Sequence, residues 1–139
     1  MTLQEIAQKS ADLLWAEDTT AQAHGIRVDS VGPGEAEVSM TLTKAMTNGH
    51  GIGHGGFIFL LADTAFAYAC NSYNQRCVAQ HCSITFLKPA SEGSRLTAKA
   101  REVRRAERSG IYDISVSDES GGTIAEFRGH SRTVAGSFF

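Results

Sequence analysis

Apolar residues recur at helical spacing over the first stretch of the chain. Leu3, Ile6, Ala7, Leu13 and Leu14 share one face, and Thr2 followed by Glu5 forms a capping-box pair ahead of them. Residues 3–16 are therefore predicted to form an amphipathic helix. Residues 17–25 carry no period and read as a connection. A short strand is expected at residues 26–31 and a turn at Pro33-Gly34. The next segment alternates strictly, with Ala36, Val38, Met40 and Leu42 on one face and Glu35, Glu37, Ser39 and Thr41 on the other, the period of a half-buried strand. A loop rich in Gly and His spans residues 47–54. Beyond it residues 55–71 are mainly apolar, with Phe57 to Ala62 consecutive. A helix that is hydrophobic nearly all round has to be wrapped by protein on most sides. The second half reads as strands. Residues 78–87 are rich in β-formers. Leu96, Ala98 and Ala100 alternate with Thr97, Lys99 and Arg101, and Tyr112, Ile114 and Val116 with Asp113, Ser115 and Ser117. A turn at residues 118–122 leads into a last strand at residues 123–134.

This order (helix, two strands, buried helix, four strands) predicts an α+β chain. Its hairpin-like turns favour an antiparallel sheet, and a sheet curved round the long central helix would bury that helix. The length of 139 residues suits one domain, residues 1–139, with one core.

Composition narrows the class. Apolar residues make up 42% and charged residues 20%, the balance of a soluble globular protein. The net charge of −2 argues against a broadly basic nucleic-acid binder. No basic segment followed by an apolar run opens the chain, and the apolar stretch at residues 55–70 is about one turn short of a bilayer span. The expectation is a cytoplasmic protein without membrane or nucleic-acid partners. Cys70, Cys77 and Cys82 are odd in number and form no C-x-x-C pair, as expected of reduced thiols. The charge is unevenly spread: residues 1–75 hold 3 basic and 8 acidic side chains, residues 76–139 hold 10 and 7. Arg101, Arg104, Arg105 and Arg108 form one basic cluster, and Arg128 and Arg132 a second. Each is either a solvated hairpin or a dock for a phosphorylated ligand.

The stretch Asn48-Gly49-His50-Gly51-Ile52-Gly53-His54-Gly55-Gly56, followed by Asp63, carries the chemistry. A carboxylate on an apolar helix is strongly desolvated unless paired, and burial raises its pKa towards the range useful for proton transfer. Gly55 and Gly56 fall where the helix starts. The first N–H groups of a helix lack internal acceptors and sit at the positive end of its dipole. Without a Cβ, a ligand carbonyl can approach them, as in an oxyanion hole. Asn48 can donate an amide N–H to a carbonyl or a water. His50 and His54 are four apart, but the interleaved glycines exclude a helix there and no further ligands follow, so no metal site is expected. Asp63 lies eight residues beyond Gly55, roughly 12 Å along a helix. One carbonyl cannot be held at Gly55 and attacked at Asp63 of the same chain. If both act on one substrate, they come from different protomers, with two central helices packed antiparallel in a symmetric dimer.

Asn48, His54-Gly55-Gly56 and Leu61-Ala62-Asp63 make a pattern that resembles the hotdog-fold acyl-CoA thioesterases. The run Thr64-Ala65-Phe66-Ala67-Tyr68-Ala69-Cys70-Asn71-Ser72, with Phe86-Leu87-Lys88-Pro89 and Phe127-Arg128-Gly129, resembles in particular the phenylacetate-degradation thioesterases of bacteria. The resemblance implies a hotdog fold, dimers commonly paired into tetramers, and hydrolysis of acyl-CoA thioesters to a carboxylic acid and free CoA. Phenylacetyl-CoA or its hydroxylated derivatives are the implied substrates, with no metal and no cofactor beyond the CoA that the substrate carries. It implies Asp63 as the acidic catalyst, acting as general base or nucleophile, and the Gly55 N–H as the group polarising the carbonyl. Asn48 would orient the thioester or the water, and His54 would shape the loop. Where some relatives carry a small hydroxyl residue, position 81 is His81, with Ser83 close by; these two, Gly56 and Arg128 are the further substrate-contact candidates. Phe57, Phe66 and Tyr68 suit either an aromatic acyl group or the core. Two rival readings stay open. One is a non-catalytic acyl-CoA-binding module, expected to lack an acid at position 63. The other is a hydroxyacyl-thioester dehydratase using His54 or His81 with a carboxylate.

Overall fold

In a computed structural model describing residues 1–139, the capping box at Thr2 forms. Thr2 Oγ1 accepts from the Glu5 N–H at 3.1 Å, and Glu5 Oε1 accepts from the Thr2 N–H at 3.0 Å. It opens helix α1 (Leu3–Glu17). The expected connection behind it contains a short helix, α2 (Thr19–Ala23). Asp18 makes this turn: its Oδ1 caps the Ala21 N–H at 3.1 Å, while its Oδ2 accepts from the Tyr68 hydroxyl at 3.0 Å and ties the turn to the central helix.

The strands are β1 (Arg27–Gly32), β2 (Glu35–Thr41), β3 (Cys77–Phe86), β4 (Arg95–Ala106), β5 (Ser109–Ser117) and β6 (Thr123–Thr133). They form one six-stranded sheet in the order β1-β2-β4-β5-β6-β3, every pair antiparallel. The long helix α3 (Gly55–Cys70) packs against all six strands, so the sheet wraps it as its composition required. Val38, Met40, Leu96, Ala98, Ile114, Val116, Ile124 and Phe127 form the inner face and are buried. No helix is long and apolar enough to cross a membrane.

Two features position the site. At Gly129 on β6, a Cβ would lie 2.8 Å from three atoms of the Phe66 ring, so the absence of a side chain lets α3 rest directly on the sheet. Strand β3 is an edge, paired only with β6, and most of its residues are exposed. Val78, Phe86 and the following Leu87 are exposed apolar residues. Beside this edge α3 keeps a half-buried stripe, Leu60, Asp63 and Ala67, at the i, i+3, i+7 spacing of one helix face.

Candidate active site

The loop before α3 is built by the Asn48 side chain. Asn48 Oδ1 accepts from the His50 N–H at 2.9 Å and the Ile52 N–H at 3.4 Å, and the Asn48 N–H donates to the Ile52 carbonyl at 2.8 Å. Gly51 closes the turn at φ +76°, in the left-handed region that favours glycine. The Gly53 N–H donates to the Ala90 carbonyl and the His54 N–H to the Met46 carbonyl, both at 2.8 Å, which pins the loop to its surroundings. With Oδ1 committed to the loop, the Asn48 amide N–H₂ is the side chain's remaining polar group.

His54 is the N-cap of α3, its Nδ1 accepting from the Gly56 N–H at 2.8 Å. The N–H of Gly56 is therefore already used within the chain, although the residue itself is exposed. The neighbouring Gly55 N–H donates to no group of the chain and sits at the positive end of the helix dipole. Asn48 and Gly55 line one cavity of about 330 Å³ with Ile52, Ile58, Phe86 and Lys88. The Phe86 ring lies over Gly55 so closely that a Cβ there would be 2.9 Å from Cζ. The residues lining this cavity thus bring an N–H at a helix start, a side-chain amide and the Lys88 ammonium, which also holds Asp118 at 2.9 Å.

Asp63 does not line that cavity. It lies on the half-buried stripe of α3, where burial raises its carboxyl above the ordinary Asp value. Burial and the Asp63 charge also raise the Cys82 thiol. The β3 side chain turned towards Asp63 is Cys82, whereas the substrate-contact candidates His81 and Ser83 are exposed. Both lie on the outer face: Ser83 pairs with Arg128 and His81 with His130, whose rings are 5.4 Å apart. The cause is strand alternation after a register shift between Ala79 and His81, because a one-residue slip exchanges the two faces of a strand.

Arg128, also a substrate-contact candidate, is half-exposed. It holds Asp113 through two bonds, Nε to Oδ1 at 2.6 Å and Nη2 to Oδ2 at 2.8 Å, on the face of the sheet turned away from α3. Its hydrogen bonds hold the Asp113 carboxyl below the ordinary value. Arg101 reaches the same carboxylate at 3.6 Å, and Arg105 lies 3.6 Å above the Tyr73 ring. Arg101 and Arg128 are thus engaged across strands, and Arg105 with a residue of the turn after α3. Phe66 and Tyr68 are buried in the core. Phe57 is half-buried between His54 and His24, with ring centroids 6.3 and 5.6 Å away, beside a second cavity of about 400 Å³ that also meets Thr43 and Met46. No three His, Cys, Asp or Glu side chains cluster with metal-holding geometry.

The cap assigns His54 a testable role. His54→Ala should lower stability by about 1 kcal/mol, the usual worth of an N-cap, and reduce turnover by releasing the first turn that carries Gly55. His54→Asn restores a capping side chain and should recover the stability in urea denaturation. Equal stabilities for the two variants would refute the capping role.

Residues 50–125 match the family model described as the thioesterase superfamily. The acyl-coenzyme A thioesterase PaaI of Escherichia coli is 44% identical over 130 residues, 94% of this chain and 93% of that protein. A putative esterase of Archaeoglobus fulgidus is 33% identical over 90% of this chain and 81% of its own length. Among solved structures, the E. coli PaaI protein from the phenylacetic acid degradation operon superposes with a TM-score of 0.96 at 43% identity, covering 98% of this chain and 99% of that one. With family model, sequence and fold in agreement over nearly the whole length, the chain belongs to the thioesterase superfamily and its fold is the hotdog.

Proposed function

We propose that the protein hydrolyses acyl-CoA thioesters to a carboxylic acid and free CoA, and that phenylacetyl-CoA or a hydroxylated phenylacetyl-CoA is its substrate. The observation that carries the reading is the Gly55 N–H, left without an acceptor at the start of α3, on a residue that lines one cavity with Asn48. A thioester carbonyl seated there is polarised by fixed donors before charge develops on its oxygen. Asp63 then acts as general base on a water, or attacks the carbonyl itself; we favour the base. The resemblance to an acyl-coenzyme A thioesterase over 94% of the chain supports the substrate class. The aromatic acyl group is inferred from the name of the phenylacetic acid operon to which the E. coli relative belongs. Release of free thiol from a panel of aromatic and aliphatic acyl-CoA esters tests the proposal. Arylacetyl esters should be turned over fastest, and absence of thiol from every ester would end it.

The working unit in this proposal is a homodimer, paired further into a tetramer. Gly55 and Asp63 stand on one helix, roughly 12 Å apart by its rise, too far to meet on one carbonyl. The free edge of β3 and the apolar stripe around Asp63 adjoin, and a second copy laid there antiparallel brings the Asp63 of one protomer to the Gly55 of the other. Mixing tests the sharing. Gly55→Leu fills the donor site against Phe86, and Asp63→Asn removes the base, so each variant alone should be inactive. Unfolded and refolded together in equal amounts, they should regain about a quarter of wild-type activity, because half the dimers are mixed and each mixed dimer has one intact site. No recovery, with mixed dimers demonstrated by mass, would place both groups in one chain's site.

A further inference from the structure

The outer face of the sheet, turned away from α3, carries two histidines side by side. His81 on β3 is paired with His130 on β6, and their ring centroids lie 5.4 Å apart with the ring planes at 71°. His81 is exposed and His130 half-buried. The side-chain hydrogen bonds that histidines make within the chain are those of His24 and His54, so the ring nitrogens of this pair are uncommitted. A single irregular step creates the pairing. Ala79 lies opposite Ser131, and unbroken alternation from there would set Gln80 against His130 and turn His81 inwards to Gly129. The register shift between Ala79 and His81 sets His81 against His130 instead. Bulges re-aim side chains, and this one brings one metal-ligating side chain onto another.

We propose that His81 and His130 form a two-histidine site for a divalent transition-metal cation of the zinc, nickel and copper class. The spacing fits. A metal–nitrogen bond of about 2.0–2.1 Å, continued to the middle of the imidazole, puts each ring centre roughly 3.2 Å from the cation. Two rings sharing one cation at a tetrahedral or slightly wider angle then stand about 5–5.5 Å apart. The pair is already at that distance, so the rings have to turn but not to approach.

Imidazole nitrogen favours these cations over magnesium and calcium, which take oxygen. No third His, Cys, Asp or Glu joins the pair, so water fills the remaining positions and the cation is exchangeable rather than locked in a closed structural centre. Arg128, two residues along β6, has its charge offset by Asp113 at 2.6 and 2.8 Å. Arg132, on the other side, is exposed, where salt screens it. A cation held here ties β3, an edge strand paired only with β6, to that neighbour through side chains as well as backbone. The inference does not depend on the hydrolytic reaction.

The test uses the full chain and Ni(II) alone. Calorimetric titration should show one cation per chain. The melting temperature should rise with Ni(II) and fall back on adding EDTA, because a ligand that binds only the folded state stabilises it. His81→Gln and His130→Gln should each weaken binding about tenfold or more and lose the rise in melting temperature, while melting like the wild type without metal. His50→Gln, altered in the glycine-rich loop, should bind as the wild type does. In NMR spectra the ring signals of His81 and His130 should broaden with Ni(II) before those of His24, His50 and His54. Cu(II) should bind more tightly than Ni(II). Unchanged binding in the His81 and His130 variants, binding lost in His50→Gln or on alkylating the cysteines, or no binding below millimolar Ni(II) would overturn the proposal.

Discussion

Asp63→Asn is expected to lower kcat for acyl-CoA hydrolysis about 10³-fold, the range of a positioned general base, while raising the melting temperature. The two effects have one cause. Burial raises the Asp63 carboxyl above its unfolded value, so the folded protein binds this proton more tightly than the unfolded chain does. The stabilisation from that proton is complete below the unfolded pKa, near 3.9, and is lost as pH rises through the folded value. At neutral pH the ionised Asp63 is a net burden on the fold, and an amide of the same shape removes it. Activity has the opposite dependence, since only the carboxylate takes a proton. The acid limb of kcat/KM should therefore lie above the ordinary Asp range, and the variant should lack it. Single-turnover hydrolysis in ¹⁸O-water should label the product acid and leave Asp63 unlabelled if a water is the nucleophile. Unchanged kcat in the variant would remove Asp63 from the reaction, and an unchanged melting temperature would remove the desolvation argument.

Phe66→Ala is expected to cost about 3–5 kcal/mol, the usual loss for a buried aromatic ring. Phe66 is 1% exposed. Its ring centroid lies 5.7 Å from Tyr112 and 6.0 Å from Phe127, and its edge rests on the bare backbone of Gly129. The surroundings cannot close over the gap easily, because the ring fills the space between a helix and a continuous sheet. The denaturation midpoint in urea should fall with the slope unchanged. A loss under about 1 kcal/mol would mean that the sheet relaxes onto α3. Phe66 lies one turn from Asp63, so its removal should also loosen the carboxylate and lower kcat at temperatures where the variant stays folded.

Local patterns announced the local elements. Thr2 and Glu5 marked the start of α1, the alternation from Glu35 to Leu42 gave β2 and its buried face, and the unbroken apolar run after Gly55 required a wrapped helix. The five-residue helix α2 is too short to display a period; Asp18, which caps it and holds Tyr68, was its signal. The contacts that the local pattern does not show are those set by long-range pairing. Arg128 finds Asp113 because β5 and β6 align those two residues, and no local spacing contains that register. His81 and Ser83 face outwards because of one irregular step at Ala79/His81, which simple alternation does not reveal. Cys82 was the residue to consider once that step was known. At the start of α3 the glycines and His54 were legible as a donor site, but not which N–H the histidine would take. A distance of two residues settles it, since an N-cap side chain reaches N2 or N3, leaving the first glycine's N–H open.

Asn48 shows how little freedom such a loop leaves to change. Its oxygen belongs to the scaffold, and in the proposed reaction its nitrogen serves the substrate, so one side chain answers two requirements at once. Aspartate would keep the two bonds that shape the loop and replace the donor with a charge that repels a developing oxyanion. Serine or threonine could accept from the backbone without extending an amide N–H into the cavity, and glutamine would displace the acceptor by a methylene. Under the proposed reaction, tolerance at this position is therefore expected to be narrow for reasons of reach and polarity together, although the residue is neither buried in the core nor held in a strained backbone.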